Sequence, residues 1–298
     1  MILTRIDHVI LAVGDLARSA RLFEQLGLSL TQPMRHMDAA TENQVFFVGS
    51  DTSEFYVELL SVHDRDRALQ TGRSDLLQAI DRGGLMRVMM EVDDVDEARA
   101  ELRAAGVTMS HDRTVRREDG SLIGEVLVPE TDVLGLDVGL ISYAESPGDR
   151  RRRHAEAGRF HHQLPLLRLD HLAAFVSDLD AATAAWRSIL GVELSGRVVG
   201  RGMVIHQLQI GDAVLELIAP DGPDSPVAQR ALGLASMAAF EVGDLLSCRS
   251  LLVDQGLDPN PITDGVLPNS ETVVVGGEKL SNFTVQLISF GPDQLPAS

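Results

Sequence analysis

Apolar and polar positions along the chain alternate between strand-like and helix-like spacing, and the order recurs. A mostly apolar run that begins at Ile6 is typical of a β-strand. A stretch with helical spacing follows it, begins near Asp15 and ends at Gly27. Three further strand patterns follow before residue 61. The pattern therefore predicts a module of one strand, one helix and about three strands (βαβββ).

The same order of elements returns three more times. Val92 aligns with Val242 and Gly106 with Gly256, without a gap between modules two and four. A single module cannot bury its sheet face, so two must join to close a core. The predicted modules cover residues 6–61, 84–142, 167–219 and 234–290.

Residues 144–165 separate the second module from the third. They include the charge run Arg150–Arg153, which a solvated linker explains better than an anion site. His161 and His162 are adjacent, and on an extended chain they would point opposite ways. We therefore expect a first domain over residues 1–143, a linker over residues 144–165 and a second domain over residues 166–291.

Composition narrows the class of protein. The 298 residues are 44% hydrophobic and 23% charged, which is ordinary for a globular chain with two domains. The formal net charge of −18 opposes binding to nucleic acid or to an anionic membrane. The single cysteine, Cys248, excludes an internal disulfide and a Cys-rich zinc site. The N-terminus lacks a signal-peptide pattern, so we expect a cytoplasmic protein. A homodimer is left open.

Modules one and three share a phrase that carries candidate chemistry. Ile6-Asp7-His8-Val9 recurs as Leu169-Asp170-His171-Leu172. A later strand of each module carries one glutamate, Glu58 or Glu216. Imidazole nitrogen and carboxylate oxygen suit zinc, iron, manganese, cobalt or nickel better than calcium. The repeat thus predicts the two halves of a divalent-metal site.

These features resemble the vicinal oxygen chelate superfamily, which includes glyoxalase I, methylmalonyl-CoA epimerase, extradiol dioxygenases and bleomycin-resistance proteins. The resemblance rests on the Asp-His phrase, on Val57-Glu58-Leu59-Leu60 and on the segments 117–120 and 125–129. It covers nearly the whole chain, and the first half resembles the glyoxalase-like branch. It implies an α+β fold in which four βαβββ modules pair into two half-open mixed-sheet barrels. A divalent metal in such a barrel acts as a Lewis acid on two neighbouring substrate oxygens.

In this family each module offers one metal ligand from its first strand and one from its last. The matching positions hold His8 and Glu58, Arg87 and Gly139, His171 and Glu216, and Met237 and Gln286 in modules one to four. A catalytic metal usually has three protein ligands. If neighbouring modules pair, the second half is the better candidate, with His171, Glu216 and Gln286 as ligands. If modules one and three faced each other, their two pairs would form a four-ligand set.

Other residues are candidates for supporting roles. Arg87 places a positive charge where a cation would sit, so it either forms an ion pair with Glu58 or contacts substrate. Met237 and His36 are further candidates for contact with substrate. His206 lies on a predicted strand of module three and is a candidate third ligand or base. Glu125, flanked by apolar residues, is a candidate base in the first half.

Three functions remain open. The first is a divalent-metal-assisted lyase, isomerase or oxygenase that acts on a small oxygenated metabolite. The second is a metal-free small-molecule binder that resembles the bleomycin-resistance proteins. The third is a protein in which one half of the chain is catalytic and the other half is structural or regulatory. Met237 replaces a histidine that extradiol dioxygenases have, which argues against that reaction.

Overall fold

A computed structural model describes residues 3–36, 40–50, 53–116, 120–267 and 269–291. Residues 117–119, which belong to one motif of the family resemblance, and residues 292–298 lie outside these ranges. Within them, the helices and strands follow the predicted order of four βαβββ modules. No helix in this part of the chain combines the length and apolar character needed to cross a membrane.

Modules one and two share one eight-stranded mixed sheet, in the order β2-β3-β4-β1-β5-β8-β7-β6. Its strands are β1 Leu3–Ala12, β2 Met34–His36, β3 Thr41–Gly49, β4 Glu54–Val62, β5 Gly84–Val92, β6 Thr108–Arg116, β7 Leu122–Glu130 and β8 Val138–Tyr143. The sheet therefore pairs neighbouring modules.

Modules three and four share a second eight-stranded sheet, in the order β10-β11-β12-β9-β13-β16-β15-β14. Its strands are β9 Leu166–Phe175, β10 Leu194–Gly200, β11 Met203–Ile210, β12 Ala213–Pro220, β13 Gly233–Val242, β14 Thr263–Asp264, β15 Ser270–Gly277 and β16 Phe283–Phe290. The two sheets have equivalent strand orders, which confirms the predicted repeat and the α+β fold of two half-open mixed sheets.

Each module carries one helix after its first strand, and an aspartate begins each of these helices. The side chains of Asp15, Asp94, Asp178 and Asp244 accept a hydrogen bond from a backbone N–H in the first turn. The helices are α1 Leu16–Gln25, α2 Arg65–Gln70, α3 Ser74–Arg82, α4 Val95–Ala104, α5 Pro147–Glu156, α6 Leu179–Leu190 and α7 Leu245–Asp254. Helices α2 and α3 lie between modules one and two, and α5 lies inside the predicted linker.

Packing divides the chain into two compact units, each of which takes segments from both sheets. The first unit consists of Met1–Ile10, Met86–His154 and His171–Ala235. The second consists of Leu11–Leu85, Ala155–Asp170 and Ser236–Ser298. The predicted domain boundaries at residues 143 and 166 stay a prediction.

Each unit has a core built around aromatic side chains. In the first unit the fully buried Trp186 donates a hydrogen bond from Nε1 to the Leu134 carbonyl oxygen at 2.9 Å. In the second unit neighbouring rings lie with centroids 5.5–6.4 Å apart, at tilted or edge-on angles that aromatic pairs prefer. These rings belong to Phe23, Phe46, Phe55, Phe240 and Phe283.

His162 attaches the end of the predicted linker to module one, within the second unit. Its Nδ1 accepts a hydrogen bond from the Ser29 N–H at 2.9 Å, and its Nε2 lies 2.5 Å from the Phe47 carbonyl oxygen. A carbonyl oxygen only accepts, so Nε2 carries the hydrogen and the ring is neutral. Both ring nitrogens are thus engaged by the backbone.

The attachment of His162 makes stability depend on pH. Burial lowers the pKa of His162 below its ordinary value. The unfolded chain therefore takes up this proton at a higher pH than the folded chain, so stability is lost as the pH falls below about 6.5. In urea unfolding at several pH values, we expect a shallower acid loss in His162→Gln than in the natural protein. The exposed His63 gives the control, because His63→Gln should keep the original slope; equal slopes in all three proteins would contradict the account.

Candidate functional site

The structure brings His171 and Glu216 together in the first unit. Strands β9 and β12 pair in parallel, with Val214 opposite His171. Residues two apart on a strand share a face, so Glu216 lies on the same face as His171. His171 Nε2 and Glu216 Oε2 are 4.0 Å apart, and the two residues are only 8% and 7% exposed.

Gln207 holds the other oxygen of this carboxylate. It lies directly opposite Glu216 in the antiparallel pair of β11 and β12. Its Nε2 donates a hydrogen bond to Glu216 Oε1 at 3.1 Å. The bond orients the carboxylate, with Oε2 as the oxygen nearest to His171. Gln207 was not predicted as a site residue. Its place before the turn between β11 and β12, opposite Glu216 in the hairpin, was the signal that could have identified it.

An imidazole nitrogen and a carboxylate oxygen suit a divalent metal. A catalytic metal usually has three protein ligands, however, and this pair supplies two. Two ligands bound to one ion at about 2.1 Å each lie up to about 4.2 Å apart, and 4.0 Å falls within that limit. In the described ranges, no group of three or more His, Cys, Asp or Glu residues is placed to hold an ion. A third ligand would have to be of another type. Gln286, which pairs with Ala239 in the second unit, stays a predicted ligand.

His206 lies on the opposite face of the sheet from this pair. It neighbours Gln207 on β11 and pairs with Leu217, so strand alternation turns its ring away from Glu216. The ring contacts helix α6, where His206 Nδ1 lies 2.9 Å from Thr183 Oγ1. The structure therefore does not bring His206 to His171 and Glu216 as the predicted third ligand or base.

Glu125 is also turned away from the face on which it was expected. The register from β5 through β8 to β7 places Val126 on the face of Arg87, so its neighbour Glu125 lies on the other face. There Arg99 of α4 donates to Glu125 at 3.0 Å and to Asp112 at 2.8 Å. The hydrogen bond to Asp112 raises the pKa of Arg99, burial opposes the shift, and Glu125 adds to it. Glu125 is therefore an ion-pair partner of Arg99 on helix α4.

His8 lies in a network of buried charged groups in the first unit. Its Nδ1 is 2.6 Å from Asp7 Oδ2, which also accepts a hydrogen bond from the Tyr143 hydroxyl at 2.7 Å. Arg5 donates to the other oxygen of Asp7. Burial alone would raise the pKa of Asp7, but Arg5, His8 and Arg150 outweigh it and hold that pKa below its ordinary value.

Glu91 joins this network to helix α5. Arg150 donates to both Glu91 oxygens, at 3.0 and 2.8 Å, and Arg5 Nε donates at 2.5 Å. The Arg150 guanidinium also stacks 3.9 Å from the centroid of the Tyr143 ring. Arg150 is 3% exposed, so the prediction that the arginine run is solvated is wrong for this residue. Contacts with Glu91 and Tyr143 bury this one arginine of the run.

The second half contains the same residue types in matching places. In the second unit Arg168 lies 3.4 Å from an Asp170 oxygen and 2.6 Å from a Glu241 oxygen. The sequence spacing from Arg168 and Asp170 to His171 is the same as the spacing from Arg5 and Asp7 to His8. Sequence reasoning missed these charged residues, although the recurrence of Arg5 and Arg168 shortly before the repeated histidine was a usable signal.

The remaining predicted residues have the following partners. Arg87 makes a bidentate ion pair with Asp137, with both contacts at 2.8 Å. Glu58 accepts a hydrogen bond from Asn43 at 2.5 Å. His36 Nδ1 lies 2.8 Å from the Thr41 hydroxyl on the neighbouring strand. The ion pair between Glu58 and Arg87 stays a prediction, as does contact of substrate with Arg87, Met237 or His36; Met237 pairs with Thr284.

Comparison with known proteins identifies the class. A model of the glyoxalase-like domain matches residues 6–158. A model of the glyoxalase, bleomycin resistance protein and dioxygenase superfamily matches residues 168–266. The chain therefore belongs to the glyoxalase-like family of the vicinal oxygen chelate superfamily, which confirms the resemblance read from the Asp-His phrases.

The curated relatives include epimerases. The ethylmalonyl-CoA/methylmalonyl-CoA epimerase of Cereibacter sphaeroides is 32% identical over 95 residues, which cover 30% of this chain and 71% of that enzyme. The human mitochondrial methylmalonyl-CoA epimerase is 38% identical over 63 residues, 20% of this chain and 36% of that protein. The chain thus spans about a third of the human relative's length.

Two solved structures share the fold over nearly the whole chain. A mutant of 4-hydroxymandelate synthase from Streptomyces coelicolor has a TM-score of 0.68 at 16% identity, covering 98% of this chain and 94% of that one. A hypothetical protein from Staphylococcus aureus has a TM-score of 0.63 at 12% identity, covering 97% and 100%. At these identities the likeness shows the fold alone.

Arg150 should contribute far more to stability than its neighbours in the sequence. Arg150→Ala leaves Glu91 buried with fewer cationic partners, which we expect to lower the free energy of unfolding by about 3 kcal/mol. Arg152 has a side chain that is 67% exposed, and Arg152→Ala should change stability by about 0.5 kcal/mol or less. Urea unfolding of both variants measures the difference. Equal, small effects would mean that α5 is the solvated linker that the sequence suggested.

Proposed function

We propose that the protein is a divalent-metal-assisted enzyme of the isomerase, lyase or oxygenase type that acts on a small oxygenated metabolite. The observation that carries the proposal is the buried pair of His171 and Glu216. The relatives of this protein include enzymes, two of which are named as epimerases of CoA esters. Membership of the superfamily supports enzyme chemistry in general, and the pair supplies a place for it in this chain.

The spacing within the pair favours a ligand between the two groups. At 4.0 Å, His171 Nε2 and Glu216 Oε2 are farther apart than a hydrogen bond allows. A buried carboxylate is costly without compensation, and Gln207 supplies one neutral hydrogen bond to the other oxygen. A cation bound by both groups would supply the rest of the compensation.

Each residue of the pair then has a definite role. His171 Nε2 and Glu216 Oε2 would hold the ion, and Gln207 would fix the carboxylate through Oε1. A zinc, iron, manganese, cobalt or nickel ion bound there would act as a Lewis acid on the substrate oxygens.

Two residues favour a second candidate function, a metal-free small-molecule binder of the bleomycin-resistance type. Arg87 and Met237 stand where other modules have a histidine, and neither suits a hard divalent ion. In that case Arg87, fixed by Asp137, would contact an organic ligand directly. The acidic net charge of −18 would suit a cationic ligand.

Metal content separates the two candidates. Protein purified without an affinity tag should retain about one transition-metal ion per chain by elemental analysis. His171→Ala and Glu216→Gln should each lower that content and abolish the thermal stabilisation that added Mn²⁺ or Zn²⁺ gives to the natural protein, because only the folded site binds the ion. The exposed His161 offers a matched control, and His161→Ala should behave as the natural protein does.

The opposite result would favour the binder. Less than about a tenth of an ion per chain, with no shift in melting temperature on addition of Mn²⁺, Zn²⁺, Fe²⁺ or Co²⁺, would overturn the metal-assisted enzyme, because a specific site saturates. Metal binding that survives both His171→Ala and Glu216→Gln would place the ion elsewhere.

A further inference from the structure

An apolar cluster adjoins the pair of His171 and Glu216 on the same face of the sheet, in the first unit. Strands β9, β11 and β12 each carry one apolar residue two positions from His171, Gln207 or Glu216. Residues two apart on a strand share a face and lie about 7 Å apart. The three apolar residues pack together as a buried cluster, here called the apolar tier: Ala173, Ile205 and Ile218.

The β12–β13 loop, residues 221–232, covers the apolar tier. Val227 of this loop packs against the tier. Apart from Ser225 and Val227, the residues of the loop are exposed, and Leu232 is 66% exposed. The loop therefore contacts the tier through one apolar side chain.

Local hydrogen bonds and terminal glycines allow the β12–β13 loop to move as a unit. The backbone N–H groups of Ser225, Ala228 and Arg230 each donate to the carbonyl oxygen three residues earlier, within the loop. Gly222 and Gly233 lie at the two ends, at φ of +151° and +107°, and a side chain at either would meet open space. Glycine changes its backbone angles at little steric cost, so both positions suit hinges.

We propose that the β12–β13 loop is a lid, and that an uncharged hydrocarbon group of the substrate replaces Val227 on the apolar tier when the lid opens. The group is of branched-alkyl size, because the side chain that it displaces ends in an isopropyl group. A charged group is disfavoured there, since aliphatic side chains cannot compensate a buried charge. The inference names the substrate class of the site at His171 and Glu216, and it rests on the proposed function for the presence of a substrate there.

Methyl NMR of protein prepared without added metal tests the lid and the tier together. The probe is 3-methyl-1-butanol, an uncharged molecule with a branched alkyl group. We expect it to shift the δ-methyl signals of Ile205 and Ile218, which are assigned by their loss in Ile205→Val and Ile218→Val. Ethanol at the same concentrations should leave both signals in place.

Val227→Ala weakens the contact that competes with the probe. We expect half-saturation of the two isoleucine shifts at a probe concentration about fourfold lower than in the natural protein, the factor that corresponds to roughly one buried methylene. Leu232→Ala is the matched control, because Leu232 lies in the same loop and is largely exposed. It should titrate as the natural protein does.

Two results would overturn the lid. One is a probe that leaves the Ile205 and Ile218 signals unshifted, and the other is equal half-saturation in Val227→Ala and the natural protein. Metal content is scored separately. The expected shifts in a protein that binds no metal would contradict the proposed metal-assisted function and support the lid, whereas bound metal without the shifts would contradict the lid alone.

Discussion

The parallel pairing between the first and last strand of a module fixes which side chains meet. The connecting helix makes this pairing possible, since parallel strands need a long crossover. In module three the register puts Val214 opposite His171 and so places Glu216 on the same face. In module two the register sets Val88 opposite Val138, and Arg87 reaches Asp137 one step before them. Parallel pairing thus brings a histidine near a carboxylate two residues along the partner strand in module three, and an arginine opposite a carboxylate in module two.

Buried charge imposes the second constraint on the chain. Asp7 and Glu91 are almost fully buried, which is tolerable only because cationic groups surround them. Arg5 binds both carboxylates, and Arg150 adds contacts from helix α5. Arg168 binds Asp170 and Glu241 in the same manner in the second half. Each half therefore repeats a network of charged residues that includes the aspartate directly before its first-strand histidine in the sequence.

Sequence periodicity was sufficient for the modules because each begins with strong local signals. Asp15, Asp94, Asp178 and Asp244 are typical helix N-caps, and each begins a helix in the structure. The joining of modules follows from the requirement that a module bury its sheet face.

The orientation of single side chains was harder to predict. His206 and Glu125 lie on the expected strands, but each is one residue out of phase with the face that was expected, and a shift of one residue reverses the face. Arg150 belongs to a charge run, and only tertiary packing against Glu91 and Tyr143 selects it for burial. Local pattern carries no information about that contact.

Anomalous scattering from crystals soaked in Mn²⁺ is the direct test of a ligand shared by His171 and Glu216. We expect an anomalous peak at about 2.0–2.2 Å from both His171 Nε2 and Glu216 Oε2. A Mn²⁺-soaked crystal without a peak between these atoms, or with a direct hydrogen bond that closes the gap between them, would contradict it.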